Sequence, residues 1–437
     1  MNNKKAIFHW TLYDWANSVF PLVITSAIFP NYYEYVTSHD KHGNPVGDVL
    51  EVFGHSIKNQ DLYSYAYSIG LLLVVLLMPF IGGLADYYNK KKMFLSVFCL
   101  LGSVSTFFLY FLSRDKIILS LIPFVTATLG FWGSLVLYNS FLPMIVTKDL
   151  QDKVSARGFS MGYIGSSVLL ILCIIGIIFF KYDPESGKGF FRIPYAFVLT
   201  SLWWIIFGFI AISGIPERNS TKNSKTSGAI LSGIIELRSA ALQIRKMKTI
   251  KNFLTAFFFY NTGVQTIMVM AVLFARKEIV WPDEKSKTNS LIVSILLIQF
   301  LGVAGASLFS RISAIKGNVW TLKGSVIFWL LICIYAYALA YYPKDFYILA
   351  AMVGLMMGGI QALSRSTFSK LLPDAENTAS FFSFYDITEK IGIITGTFSF
   401  GLISQLTGDM RKSVWVLMVY FILGFLLLFR VRSKSFT

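Results

Sequence analysis

Long apolar runs alternate with short polar breaks along the whole chain. A helix crossing the hydrocarbon layer needs roughly 20 apolar residues. Twelve stretches reach that scale, at about 7–33, 62–84, 93–113, 117–146, 158–180, 194–214, 253–275, 289–312, 319–341, 346–372, 380–407 and 413–430. Two breaks are long: a polar loop at 37–60, and 216–252, which opens PERNSTKNSKTSG. The later part of the second, AILSGIIELRSAALQIRKMK, sets apolar residues at helical spacing with basic residues between them. It predicts a flexible start followed by an amphipathic helix on the membrane surface. The pattern as a whole predicts an all-α membrane protein with twelve transmembrane helices in two six-helix halves, 1–215 and 253–437, joined by a linker at 216–252.

Composition agrees with that pattern. Of 437 residues, 55% are apolar and 14% charged, against about 25% charged in soluble domains. Such a chain cannot cover a globular surface with polar groups, so the lipid bilayer is its expected solvent. The N-terminus, MNNKKAIFHW, is basic and then apolar, without a small-residue cleavage pattern. It reads as an uncleaved first span.

The net charge is +16. With the N-terminus on one side, that side collects 23 Lys and Arg and the other 14, leaving Lys323 and Lys390 unassigned. This excess places both termini and the linker in the cytoplasm. It also accounts for the basic balance without nucleic acid. Compact loops favour the inner membrane of a bacterium. Cys99, Cys173 and Cys333 lie far apart in apolar stretches, and three of the four His (His39, His42, His55) share one loop. No disulfide framework, metal site or cofactor is expected.

The two halves echo each other. DWANS at 14–18 lies over TGVQT at 262–266, GGLADYYNKKK at 82–92 over SRISAIKGN at 310–318, and FLP at 141–143 over LLP at 371–373. Repeated bundles around a midplane site are a transporter design.

GGLADYYNKKK resembles the cytoplasmic loop motif of the major facilitator superfamily, G-x-L-A-D-[RK]-x-G-[RK]-[RK], through Gly82, Leu84, Ala85, Asp86, Lys90 and Lys91. Tyr87 departs from the basic residue and Asn89 from the turn glycine; Asn tolerates the left-handed backbone. The resemblance implies that the aspartate caps a helix end and helps latch the halves together on the cytoplasmic side.

A narrower resemblance rests on LYDWANS (12–18), YNSFLP (138–143), SARGFSMGYIG (155–165), LWWIIF (202–207), YNTGVQT (260–266), GGIQALSRSTFSKLLP (358–373) and FFSFYD (381–386), in this order. Together these look like the autophagy-type vacuole effluxer family within the major facilitators, in its bacterial form. Thr262 stands where that family commonly has an acid, so a coupling role is not carried over there. The resemblance implies export of small solutes, amino acids leaving the vacuole being the best-known case.

Ionisable groups inside spans are functional candidates by default. Asp14, Asn17 and Ser18 share one helical face. The fold implied by the resemblance lines a central cavity with spans 1, 4, 7 and 10. That would gather Asn139 and Ser140, Tyr260, Asn261, Gln265 and Thr266, and Gln361, Ser364 and Arg365 around the first group. Asp14 is the expected proton-coupling acid, and pairing with Arg365 is expected to gate the inner side or to hold the two charges of an amino acid. The rival reading puts Asp14 at the interface as a helix cap. Asp386, Glu389 and Lys390 are expected to form a protruding turn at the start of span 11, with an Asp386–Lys390 helical ion pair; a proton relay is the rival reading of the same residues. Gly158, Gly162 and Gly165 in span 5 and Gly302, Gly305 and Ala306 in span 8 are expected to face each other across the halves. The aromatic residues are expected to serve mainly as lipid-facing bulk and interface belt.

No GxxxxGK[ST] or HExxH occurs, so nucleotide-driven pumping and zinc-dependent membrane proteolysis have no motif. The expected function is secondary active transport of a small zwitterionic or neutral solute by alternating access, in a monomeric carrier, with protons as candidate coupling ion and no enzymatic activity. Drug or peptide efflux is the alternative. A receptor or scaffold with a transporter fold is the alternative from another class.

Overall fold

In a computed structural model the chain is described at residues 1–40, 44–182, 189–216, 229–373 and 377–431, with the backbone alone at 229–234. His42, the polar start of the linker at 217–228 and the basic residues Arg432 and Lys434 fall outside these.

The first apolar stretch is not the single helix expected. It runs as α1 (Lys4–Asn17), a π-helical stretch at Phe20–Ile28 and α2 (Phe29–Ser38). Pro21 and Pro30 lack N–H groups, and the Pro21 carbonyl accepts the hydroxyls of Thr25 (2.7 Å) and Ser26 (2.8 Å). Side-chain donors thus compete for one carbonyl of the i→i−4 ladder, and the two prolines withhold donors from two others. The polar loop that follows contains an antiparallel hairpin, β1 (Val49–Val52) and β2 (His55–Lys58), with Val49 opposite Lys58 and Val52 opposite His55. Phe53 (φ 52°) and Gly54 (φ 79°) make its two-residue turn with positive φ at both positions, as hairpin twist requires. Asn59 ties this loop down by donating to Thr37 Oγ1 at 2.9 Å.

The remaining helices are α3 (Asn59–Tyr87), α4 (Lys91–Phe108), α5 (Ile117–Ser140), the short α6 (Leu142–Ile145), α7 (Gln151–Phe179), α8 (Tyr195–Gly214), α9 (Ala229–Lys246), α10 (Lys248–Glu278), α11 (Glu284–Lys316), α12 (Asn318–Ala338), α13 (Pro343–Leu371), α14 (Thr378–Thr407) and α15 (Val414–Leu428). Among the described residues, ten helical stretches are long and apolar enough to cross a membrane. The two other expected spans are helical as well: the segmented 4–38, and α14, which carries three ionisable residues in its first turns.

Both described chain ends lie at one end of the bundle, called the inner end here. Asn2 bonds Thr147 ahead of α7 (2.9 Å), and Asn252 at the start of α10 donates to the Arg430 carbonyl (2.8 Å). Turns at this end are made where the backbone needs unusual geometry: Asn89 takes φ 51° between α3 and α4, and Gly317 takes φ 83° between α11 and α12.

Helices α7 and α11 pack on each other, as expected, through Gly302 and Ala306 of α11 but not through the glycines of α7. Gly158, Gly162 and Gly165 face α1; a Cβ on each would meet Asp14, Ser18 and Trp15 respectively. Gly305 faces the Leu355 backbone of α13, whereas Gly302 meets α7 at Tyr163. The three buried alanines Ala156, Ala306 and Ala362 form the small-residue junction of α7, α11 and α13. The aromatic residues also depart from the expected lipid-facing role, since Trp10, Trp204 and Trp329 are fully buried. Trp204 fills the space a Gly102 side chain would take.

Candidate functional site

Four helices bring their polar residues together near the inner end. Tyr138 on α5 donates to Asp14 Oδ2 on α1 at 2.7 Å. Arg365 on α13 donates to the same oxygen through Nη1 and Nη2, both at 3.2 Å. Arg365 also donates to Asn139 Oδ1 (3.2 Å), to Ser155 Oγ (3.0 Å) and to the Ser155 carbonyl (2.9 Å). The side chains of Arg365 and Asp14 are only 4% and 6% exposed, so the pair is a buried one. The guanidinium lies 4.8 Å over the Trp10 ring and 4.1 Å over Phe159, the stacking that suits a planar cation. Trp10 in turn donates to the Tyr138 carbonyl at 3.0 Å. Such a pair stays buried only when geometry and extra hydrogen bonds satisfy both charges, and this shell supplies them.

The other expected site residues are spread around that pair. Tyr260 shares a hydrogen bond with Ser364 (2.8 Å), and Gln361 accepts from Tyr163 (2.9 Å). Asn17 is buried, with neither side-chain atom partnered among the described residues, and Asn261 Nδ2 is likewise unpartnered. Ser18 abuts Gly162. Gln265 turns elsewhere and donates to Glu389 on α14.

The loop motif closes a second contact at the inner end. Asp86 accepts from the backbone of Ala379 (3.2 Å) and from Ser380 N (2.6 Å) and Oγ (2.7 Å), at the N-terminus of α14. A carboxylate is favoured there by the unpaired amides and the helix dipole. Lys91 pairs with Asp86 at 2.8 Å and donates to Thr378 at 2.7 Å. Gly82 permits the approach, since a Cβ there would strike Ser383 and the Ala379 backbone. Lys90 is exposed.

One group escaped the reading of the sequence, and another lies elsewhere than expected. Asp152, at the start of α7, accepts from Lys370 (2.6 Å), Asn318 (2.8 Å) and Ser313 (3.0 Å). Its partners sit on α11, α12 and α13, far away in sequence, so nothing local singles it out. Asp386, Glu389 and Lys390 are not a protruding turn, because α14 starts at Thr378 and carries them into the packed interior. The expected ion pair is there, Lys390 to Asp386 at 3.0 Å, and Lys390 is fully buried.

An apolar pocket, partly open to its surroundings, lies elsewhere, among α10, α12, α13 and α15, lined by residues such as Met270, Phe274, Cys333 and Leu349. It does not touch the charged pair.

The chain matches the family described as "Vacuole effluxer Atg22 like" over residues 2–435. A Bacillus subtilis (strain 168) protein described as "Uncharacterized MFS-type transporter YxiO" is 30% identical, covering 98% of this chain and 95% of that one. Autophagy-related protein 22 of Coccidioides immitis (strain RS) is 24% identical over 94% of this chain and 84% of its own. Among solved structures, the human organic anion transporter MFSD10 (TETRAN) matches with TM-score 0.68 at 11% identity, covering 97% of this chain and 98% of that one. The transporter FucP in its outward conformation matches with TM-score 0.64 at 13% identity, covering 98% of both. These two likenesses concern the fold. The family match spans nearly the whole sequence, and the chain accordingly belongs to the Atg22-like vacuole effluxer family of the major facilitators, multi-pass membrane transporters rather than enzymes.

Proposed function

We propose that this transporter exports a small zwitterionic solute, an amino acid or a close relative, across a bacterial inner membrane by alternating access, with both termini cytoplasmic. The observation that carries the reading is the buried Asp14–Arg365 pair, one charge from each expected half. Opening the inner end would separate the two charges. The carboxylate then offers a place for a substrate ammonium and the guanidinium one for a carboxylate. The effluxer description of the family supports export. The Asp86, Asp152 and Arg365 contacts all fasten the inner end, which supports an outward-facing conformer.

The test is uptake and counterflow of a labelled amino-acid mixture in proteoliposomes, for wild type and Asp14→Asn. Counterflow in the wild type, with a raised half-saturation concentration or loss in the variant, is the expected result. No counterflow by folded wild-type protein removes the amino-acid assignment. The apolar cavity beside α10 favours a second reading, efflux of an apolar drug-like solute. Transport of such a solute, unaffected by Asp14→Asn, would replace the first reading.

A further inference from the structure

Charge counting separates the two buried ionic groups. Asp14 and Arg365 balance one to one. The group on α14 does not balance: Lys390 lies 3.0 Å from Asp386 Oδ1 and 3.4 Å from Glu389 Oε2, two carboxylates to one ammonium. Their side chains are 0%, 8% and 15% exposed. An uncompensated charge in a packed span is costly, and such groups mark ion pathways and proton relays.

Oxygen by oxygen, the group has one open place. Glu389 Oε1 accepts from Gln265, Glu389 Oε2 and Asp386 Oδ1 face Lys390, and Asp386 Oδ2 is buried with no partner among the described residues. A second buried polar group, on α10, lacks a partner among the described residues. Asn261 is 5% exposed with its Nδ2 unbonded, and it lies one turn before Gln265. Trp132 of α5 closes the other side, its ring centroid 3.4 Å from Lys390 Nζ. The other titratable groups turned towards the cluster are Tyr67 of α3, which feels Glu389, and Tyr385 of α14. Tyr260 of α10 and Arg365 of α13 act on Tyr385.

Location makes the cluster mechanical as well as electrostatic. Helix α14 packs on α3 and α5 from the first expected half and on α10 from the second. The Lys390–Trp132 contact crosses that seam, so rocking the halves would break it and change what neutralises the carboxylates.

We propose that Asp386 Oδ2 is the proton-carrying atom of this transporter, with Glu389, Lys390, Gln265 and Trp132 setting its charge state in each conformer. This inference rests on the transport reading and assigns its coupling to α14 instead of Asp14. One proton from the aqueous phase adds to Asp386 Oδ2 and takes the cluster from −1 to neutral. The same proton leaves to the opposite side after the halves have rocked, and no other bond changes.

The decisive measurement needs no substrate. Infrared difference spectra of the reconstituted protein between acidic and alkaline buffer report the C=O stretch of a buried carboxylic acid. Wild type and Asp14→Asn should show a band that fades towards alkaline pH, and Asp386→Asn should lack it. In Glu389→Gln, Lys390 serves Asp386 alone, and the band should fade at lower pH than in the wild type. A band that persists in Asp386→Asn, or is lost in Asp14→Asn, overturns the assignment, as does an unmoved band in Glu389→Gln. Counterflow of the amino-acid mixture is read on the same preparations. Asp386→Asn should keep counterflow and lose accumulation driven by a pH gradient; pH-driven accumulation equal to wild type would also overturn the proposal. Wild-type protein with the band but without counterflow would sink the amino-acid reading alone.

Discussion

Lys370 Nζ lies 2.6 Å from Asp152 Oδ2, and the two residues are 218 positions apart in the chain. Asn318 bonds both partners, donating to Asp152 at 2.8 Å and accepting from Lys370 at 3.0 Å. Lys370 and Asp152 are 9% and 7% exposed at their side chains, so removing one leaves the other buried and uncompensated. Lys370→Met should cost the inner-closed conformer about 3–5 kcal/mol. A cysteine introduced at Ser140 should then become reactive to an impermeant thiol reagent added from the inner side. Unchanged protection would show that this contact does not hold the inner end closed.

Arg365→Lys keeps the charge and loses the fork. The Ser155 carbonyl and Oγ, both bonded now, cannot be reached together with Asp14 by a single ammonium. Loss of one bond to a charged group is about 1.5–3 kcal/mol. Counterflow should fall about ten-fold or more, with a matching drop in thermal stability. Wild-type rates in Arg365→Lys would reduce the guanidinium geometry to a point charge.

Gly305→Ala and Gly324→Ala make a matched pair. A Cβ at Gly305 would run into the Leu355 carbonyl of α13, whereas nothing lies within 4 Å of one at Gly324. Overpacking against backbone should cost about 1–3 kcal/mol. The open site should gain about 0.5–1 kcal/mol from the stiffer helix. Melting temperatures in detergent should move in opposite directions; equal shifts would mean that α11 and α13 do not pack this closely.

Asp283 caps α11, accepting from Ser286 N and Oγ at 2.7 Å each. Those bonds hold its carboxyl below the usual range. A folded value below the unfolded one stabilises above the unfolded value and is lost as pH falls through the folded one. Asp283→Ala should therefore speed amide exchange at Ser286 near neutral pH, and the difference from wild type should vanish in acid. A difference independent of pH would rule out the charged cap.

Much of this was legible because hydropathy and span length are local properties. The apolar runs located the helices, and the ionisable residues Asp14 and Arg365 stood out against them. Their separation by 351 positions hid the partners Tyr138 and Ser155, because polar residues in spans are common while their facing is set by tertiary packing. The π stretch at Phe20–Ile28 depends on a hydroxyl competition at Pro21 that hydropathy does not register. The hairpin turn uses Phe53-Gly54, a weaker signal than Asn-Gly. Asp386, Glu389 and Lys390 lower local apolarity, which argues for a surface turn; Lys390 set between both carboxylates and over the Trp132 ring offsets part of the cost of burying them. The glycines of α7 were visible as a small face, yet nothing in one sequence says which neighbour that face meets.

The order of synthesis gives the Asp14–Arg365 pair a further meaning. Chains emerge from the N-terminus, so α1 enters the bilayer with its carboxylate long before α13 exists. Asp14 must wait as an unmatched acid through the insertion of most of the protein, and the last third of the chain supplies the cation that completes it. A product truncated ahead of α13 keeps that charge unmet. The transporter thereby carries in its first helix a marker of its own incompleteness, erased when Arg365 arrives.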